Sequence, residues 1–255
     1  MYTKYNQLRE NIASLKSMVV AFSGGVDSTF LLKVASDVLG VEAIGVTVAT
    51  PYVASWEIAD AKRIAIEIGA SHEVLALPML ESMYSNPQNR CYLCKYTLFK
   101  HLLAFAIQKE MAYVAEGSNV DDSFEHRPGR VALEALSIKT PMLEVGLTKA
   151  EIRELSRELG LSTWDKPSYA CLLTRFPYDK PLSFQAMEKV AMAEAWMIAK
   201  GYAYMRVRFD EGMIRLEMSR KDKLRLLQDS EYDTIVAYLK ELGFLHVTLD
   251  LVQER

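Results

Sequence analysis

Two groups of residues in this 255-residue chain combine the types and spacing that chemistry needs. The first is the run Ser23-Gly24-Gly25-Val26-Asp27-Ser28-Thr29, placed between the apolar residues 18–22 and a helical pattern over residues 28–39. Its two glycines let backbone N–H groups approach an anion with no Cβ in the way. Ser23, Ser28 and Thr29 add hydroxyls, and the opening turn of a helix adds positive potential. The run is a phosphate cradle. It lacks the Lys of GxxxxGK[ST] and is not GxGxxG, which sets aside GTPase, kinase and dehydrogenase readings.

The second group is the three cysteines, Cys91 and Cys94 close together and Cys171 about 80 residues further on. The N-terminus has no apolar leader segment, so these residues are expected as thiols or metal ligands of a cytoplasmic protein rather than as a disulfide framework. Zinc needs a fourth ligand, for which His101 and His126 are available at no recognisable spacing. A redox dithiol at Cys91 and Cys94 lacks its usual fold context. A [4Fe–4S] cluster on three thiolates leaves one iron open to a non-protein ligand. The remaining reading is three buried, inert thiols, against which the flanking charges of Arg90 and Lys95 argue.

Short β-branched runs alternate with helical periodicity through the first two-thirds of the chain. This pattern predicts an α/β fold with a doubly wound parallel sheet. Strands are expected at residues 18–22, 43–48, 72–77 and 112–115, with helices over 28–39, 55–68 and 96–109. In such a sheet, ligands lie in the loops that follow the strands. Thr148 and Glu151 read as a capping box opening a helix that Gly160 ends. From residue 180 the order changes to helix, two strands, one long helix and a last strand, a small α+β domain. The boundary is expected between residues 178 and 179, giving domains over 1–178 and 179–255.

Composition narrows the function. Half of the residues are hydrophobic and 25% are charged, with a formal net charge of −3. A folded protein is expected, not a disordered or collagen-like one. Near-neutral charge argues against a nucleic-acid partner, and no run of ~18 uncharged apolar residues suggests a membrane span.

The segment SGGVDS resembles the pyrophosphate loop of the ATP pyrophosphatases, the PP-loop superfamily of GMP and NAD synthetases and tRNA thiolation enzymes. The resemblance implies ATP cleaved between its α and β phosphates, with Mg²⁺, while a substrate oxygen is adenylated, Asp27 serving the chemistry. Gly117, Ser118, Asn119, Asp121 and Asp122 match the superfamily's second signature, near the nucleotide. The further segments EGSNVDDSFEHRPGR and TPMLEVGLTKAEIRELSRELGLSTWDKPSYACLLTRFPY closely resemble the LarE family of ATP-dependent sulfur transferases, a match running from about residue 20 to 210.

The LarE resemblance implies adenylation of a carboxylate of pyridinium-3,5-biscarboxylic acid mononucleotide and its conversion to a thiocarboxylate for the nickel-pincer cofactor of lactate racemase. Two sulfur sources exist in the family. One is sacrifice of a single cysteine, here Cys171, leaving dehydroalanine. The other is a [4Fe–4S] cluster on three cysteines, here Cys91, Cys94 and Cys171, carrying sulfide from a sulfur donor, and ligand count favours it for this chain.

A mononucleotide substrate also needs a phosphate site. Arg206 and Arg208 alternate with Met205, Val207 and Phe209 and so share one face of a strand, and Arg175 lies in the Cys171 motif. The resemblance adds Glu194, a small-domain arginine pair and a homo-oligomer. EHRPGR, with Arg127 and Arg130, resembles a family loop that closes over substrate. A tRNA thiolase, an amide-forming synthetase and a non-catalytic nucleotide-binding regulator are the alternatives. The first lacks a basic surface, and the other two give the cysteines no role.

Overall fold

Met18, Val19 and Val20 are fully shielded from solvent, as a continuous apolar run must be when helices cover both faces of a parallel sheet. The computed structural model describes residues 1–123, 128–202 and 205–252, and divides them into two compact units. The first holds α1 (Tyr2–Leu15), β1 (Met18–Ala21), α2 (Val26–Leu39), β2 (Ala43–Ala49), α3 (Ser55–Glu67), β3 (Ser71–Ala76), α4 (Arg90–Gln108), β4 (Tyr113–Ala115), α5 (Pro128–Ala135), α6 (Pro141–Glu144) and α7 (Lys149–Glu158). The second holds α8 (Phe184–Ala199), β5 (Met205–Asp210), β6 (Met213–Met218), α9 (Arg220–Gln228), α10 (Tyr232–Glu241) and β7 (His246–Leu249).

The first unit has an all-parallel sheet in the order β3-β2-β1-β4. The fold is α/β, as the strand-helix alternation predicts. Side chains of β1 alternate between two cores. Met18 and Val20 pack with α1, α2, α3 and α7, whereas Val19 packs with α4, α5 and β4. Because β2 and β4 flank β1, the winding reverses there, and the loops after β1 and β4 open on the crevice where such sheets bind ligands.

Two glycines set this geometry. Gly24 has φ +68°, and a Cβ there would meet the Ala61 backbone at 3.0 Å, so the loop after β1 lies directly on α3. A Cβ on Gly117 would stand 3.1 Å from both the Asp27 Cβ and the Ser28 nitrogen. The loop after β4 therefore reaches the first turn of α2 only because residue 117 has no side chain.

The second unit has a three-stranded sheet, β5-β6-β7, with β5 and β6 antiparallel and β6 and β7 parallel. It takes in residues 51–55, 81–88 and the chain from Tyr169 onward, so the boundary expected between 178 and 179 falls inside it. Asn86 explains why the earlier segment joins. Buried and at φ +49°, it donates from Nδ2 to the carbonyls of Leu173, Phe176 and Pro177 at 3.1, 3.1 and 2.8 Å.

Three helical features differ from expectation. α1 forms although only Leu8 and Ile12 are buried along it. α4 begins at Arg90 rather than 96, which puts Cys91 and Cys94 in its first turns. The single long helix expected near the end is two, α9 and α10. Asp229 parts them, accepting the Glu231 N–H at 2.8 Å and the Tyr202 hydroxyl at 2.7 Å.

Candidate functional site

The loop after β1 turns into α2 through Gly25, which stands at the helix N-cap in extended conformation and offers no side chain to the first turn. Most helices satisfy an end like this with Ser, Thr, Asp or Asn; here the first N–H groups of a well-buried helix face a cleft. Around them the hydroxyls are ordered. Ser23 Oγ lies 3.1 Å from Ser28 Oγ, the Ser23 N–H donates to Ser28 Oγ at 3.2 Å, and Ser28 Oγ donates to the Gly25 carbonyl at 3.2 Å. Such a ring of donors with the positive end of a helix beneath it suits an anion.

The cleft measures about 670 Å³ and lies wholly within the first unit. Ser23, Gly25, Asp27 and Ser28 line it from the first loop, and Gly117, Ser118, Asn119, Asp121 and Asp122 from the second. These are the residues the two motifs single out, and the fold brings them together. Gly24 is next to them. Thr29 is different: it is fully buried, does not line the cleft, and its hydroxyl has no hydrogen-bond partner among the described residues.

The second loop is held by its own side chains. Asn119 Oδ1 accepts the Asp121 N–H at 2.9 Å, Asp122 accepts the Asn119 N–H at 3.0 Å, and Glu116 accepts the Ser118 N–H at 2.9 Å. With its oxygen engaged, the Asn119 amide presents Nδ2 to Asp27 Oδ1 at 3.2 Å. The other oxygen, Asp27 Oδ2, accepts from the ammonium of Lys149.

Lys149, Lys95 and Lys166 are the site residues that motif reading missed. Lys149 opens α7 behind the Thr148 and Glu151 capping box. A Lys in a first turn opposes the helix dipole, and that misfit is the signal that its ammonium has a partner elsewhere. Lys95 lines the cleft 3.5 Å from Glu116. Lys166 is three-quarters or more shielded and donates to the Gly24 carbonyl at 2.7 Å and to Asp60 at 2.5 Å. Burial alone raises the Asp60 carboxyl, but the hydrogen bonds from Lys166 and Arg63 outweigh it and hold its pKa below the ordinary value.

None of the three cysteines forms a disulfide, and Cys91 is exposed and Cys94 and Cys171 partly so, which sets them apart from inert core cysteines. Cys91 and Cys94 are three residues apart on α4 and share a face, with Cβ atoms about 5–6 Å apart as i,i+3 helical neighbours have. That spacing and softness fit two ligands of one cluster. Cys171 belongs to the second unit, at the start of the short 3₁₀ turn Leu172–Arg175. Among the described residues no group of three or more His, Cys, Asp or Glu side chains is arranged around a metal position. His101 is exposed with Nδ1 against the Thr97 carbonyl, and His126 and Arg127 lie outside the described residues. Arg130 lines the cleft and pairs with Glu134 at 3.0 Å.

In the second unit, Arg175 and Glu194, both expected at the substrate, bond to each other. The guanidinium donates to both carboxylate oxygens, at 2.6 and 3.0 Å, and both side chains are almost wholly buried. Arg206 and Arg208 share a face of β5, the side opposite buried Met205 and Val207. Arg208 donates to Glu217 at 2.8 Å and to the Thr174 carbonyl, beside a smaller cavity of about 330 Å³.

No family model matches the chain. It is 37% identical over 251 residues to an uncharacterized protein of Synechocystis sp., covering 98% of this chain and 94% of that one. It is 32% identical over 252 residues to the pyridinium-3,5-bisthiocarboxylic acid mononucleotide synthase of Lactiplantibacillus plantarum, covering 98% and 91%. An uncharacterized protein of Methanocaldococcus jannaschii is 28% identical over 246 residues, covering 96% and 93%.

Proposed function

Because the chain belongs to the family of the pyridinium-3,5-bisthiocarboxylic acid mononucleotide synthase, we propose that it is an ATP-dependent sulfur transferase acting on a pyridinium biscarboxylate mononucleotide. The observation that carries this reading is the cleft at the switch point, where an uncapped helix N-terminus, the Ser23 and Ser28 hydroxyls and the Asp27 carboxylate converge.

In this reading the loop holds the β and γ phosphates of ATP while a substrate carboxylate oxygen attacks the α-phosphorus. The bond to the β-phosphate oxygen breaks, pyrophosphate leaves, and an acyl adenylate forms. This step replaces oxide, which does not leave, with AMP, which does. Backbone N–H groups at the start of α2 and the nearby ammonium of Lys149 offset the charge that builds on the departing pyrophosphate. Mg²⁺ is usually held by one or two carboxylates together with substrate phosphates, and Asp27, lining the cleft, fits as its protein ligand. It would neutralise charge on the phosphates.

A sulfur nucleophile then adds to the acyl carbon and expels AMP, leaving a thiocarboxylate. Cys91, Cys94 and Cys171 would hold a [4Fe–4S] cluster, which would supply that sulfur as sulfide. The exposure of Cys91 and its i,i+3 relation to Cys94 support this source. In the sacrificial route the Cys171 thiolate attacks instead. Loss of its Cα proton with cleavage of the Cβ–Sγ bond then leaves dehydroalanine, a route that needs neither Cys91 nor Cys94.

Anaerobic purification with iron and acid-labile sulfide analysis, on the wild type and Cys91→Ala, separates the sources. About four irons and four sulfides per chain, lost in the variant, are expected. An iron-free protein that thiolates once and then carries Cys171 lighter by H₂S establishes the sacrificial route. Absence of substrate-dependent pyrophosphate release overturns the reading as a whole.

A further inference from the structure

Both oxygens of the Asp27 carboxylate are engaged, and the two partners differ in how firmly they are fixed. The Asn119 side chain is 2% exposed, and its Oδ1 is tied to the Asp121 N–H, so its amide cannot turn away without breaking that loop. Lys149 is the other case. Its backbone N–H is anchored on Asp121 Oδ2 at 2.6 Å, while its side chain, one-third exposed, reaches through the cleft to Asp27 Oδ2. A four-carbon stem with rotatable donors can change partners at little cost. Its own helix gives the ammonium no reason to stay, because a cation at the first turn of α7 meets the positive end of the dipole.

Resting on the nucleotide reading of the cleft, we infer that Lys149 is a built-in competitor for the divalent cation: its ammonium holds Asp27 Oδ2 and yields it only when nucleotide phosphates arrive. Two cations on one carboxylate oxygen compete, since their repulsion at contact distance in a partly enclosed site disfavours simultaneous binding. Polyphosphate removes the conflict. It offers Lys149 another anion in the same cleft, frees Asp27 and brings further oxygens for the metal. Cation and nucleotide then bind with positive coupling, and by linkage each raises the affinity for the other by the same factor. The device keeps a bare metal ion from occupying the site ahead of ATP.

The test uses Mn²⁺ alone, followed by electron paramagnetic resonance titration of the full chain without nucleotide. Wild type and Lys149→Arg, which keep the cation, are expected to bind Mn²⁺ weakly. Lys149→Gln is expected to bind it about tenfold more tightly or better, within the ordinary range of such couplings, and Asp27→Asn added to Lys149→Gln should abolish the gain. Equal Mn²⁺ affinity in wild type and Lys149→Gln overturns the inference, as does a gain that survives Asp27→Asn or appears in Lys149→Arg. Because no turnover is involved, failure of the sulfur-transfer reading shows in pyrophosphate release and leaves this titration to stand or fall separately.

Discussion

Glu194 on α8 grips Arg175 through two hydrogen bonds, 2.6 Å to Nε and 3.0 Å to Nη2, with both side chains almost completely out of solvent. Glu194 Oε1 also accepts the Val207 N–H of β5 at 2.8 Å, so one carboxylate ties the segment after Cys171, a helix and a strand. Truncating one member leaves the other as an uncompensated buried charge. Glu194→Met is expected to destabilise the protein by about 3–5 kcal/mol, whereas Arg175→Met combined with Glu194→Met should cost clearly less than the two single changes added. Urea denaturation of the four proteins measures this, and strictly additive losses would show that the pair is not coupled.

Gly117 is where the loop after β4 meets the first turn of α2. Gly117→Ala puts a methyl group 3.1 Å from the Asp27 Cβ and the Ser28 backbone nitrogen, and neither neighbour is the free end of a flexible side chain. Overpacking of this kind costs about 1–3 kcal/mol. ATP affinity should fall more than thermal stability does, because the displaced atoms line the cleft. Calorimetric titration of an ATP analogue beside a melting curve distinguishes the two effects, and unchanged affinity would remove Gly117 from the site.

Asp27→Asn keeps the size of the side chain and removes the charge that Lys149 engages and that the proposed metal would need. Pyrophosphate release is expected to drop by about 100-fold or more, the usual effect of losing a group that organises charge in the reaction. The fold should persist, since Asp27 is a quarter exposed at the edge of the cleft. Activity within tenfold of wild type would place the cation on another residue.

The α7 cap predicts a pH dependence. Burial raises the Glu151 carboxyl, but Lys4 at 2.8 Å and the backbone and hydroxyl of Thr148 outweigh it and lower its pKa from 4.5 to about 2. A lowered folded-state pKa means stability that is complete above pH 4.5 and is lost as pH falls toward 2. Glu151→Ala is therefore expected to cost about 1–2 kcal/mol at neutral pH, as lost caps do, and progressively less from pH 4.5 downward. Chemical denaturation of both proteins across that range checks the sign; a difference that widens in acid would contradict it.

Residues close in sequence settle much of this molecule on their own. The strand, glycine loop and helix around residues 18–39 form as their pattern predicts, because a buried apolar run and a Gly-rich turn leave few local alternatives. The Thr148 and Glu151 cap forms as read, since it spans four residues. Other elements escaped the pattern. α1 is mostly polar, so its periodicity is faint, and α4 starts at Arg90, directly after Pro87, Gln88 and Asn89, which read as loop. The break between α9 and α10 combines a local turn, in which Asp229 accepts the Glu231 N–H, with a partner that sequence spacing does not show, Tyr202, 27 residues away; burial and that carboxylate push the Tyr202 hydroxyl up to about 12.

The chain's residue types alone announced an anion loop, a second acidic loop and three thiols, because each is a matter of composition over a few positions. Which side chains would meet was decided by the tertiary structure. Asn119 and Lys149 reach Asp27 from 92 and 122 positions away, only because β4 pairs beside β1 and α7 follows in the same unit. Arg175, by motif a phosphate ligand, is neutralised by Glu194 once α8 packs against its turn. A charge's role depends on what stands within a few ångströms of it, and sequence spacing carries that information only inside a turn or a single element.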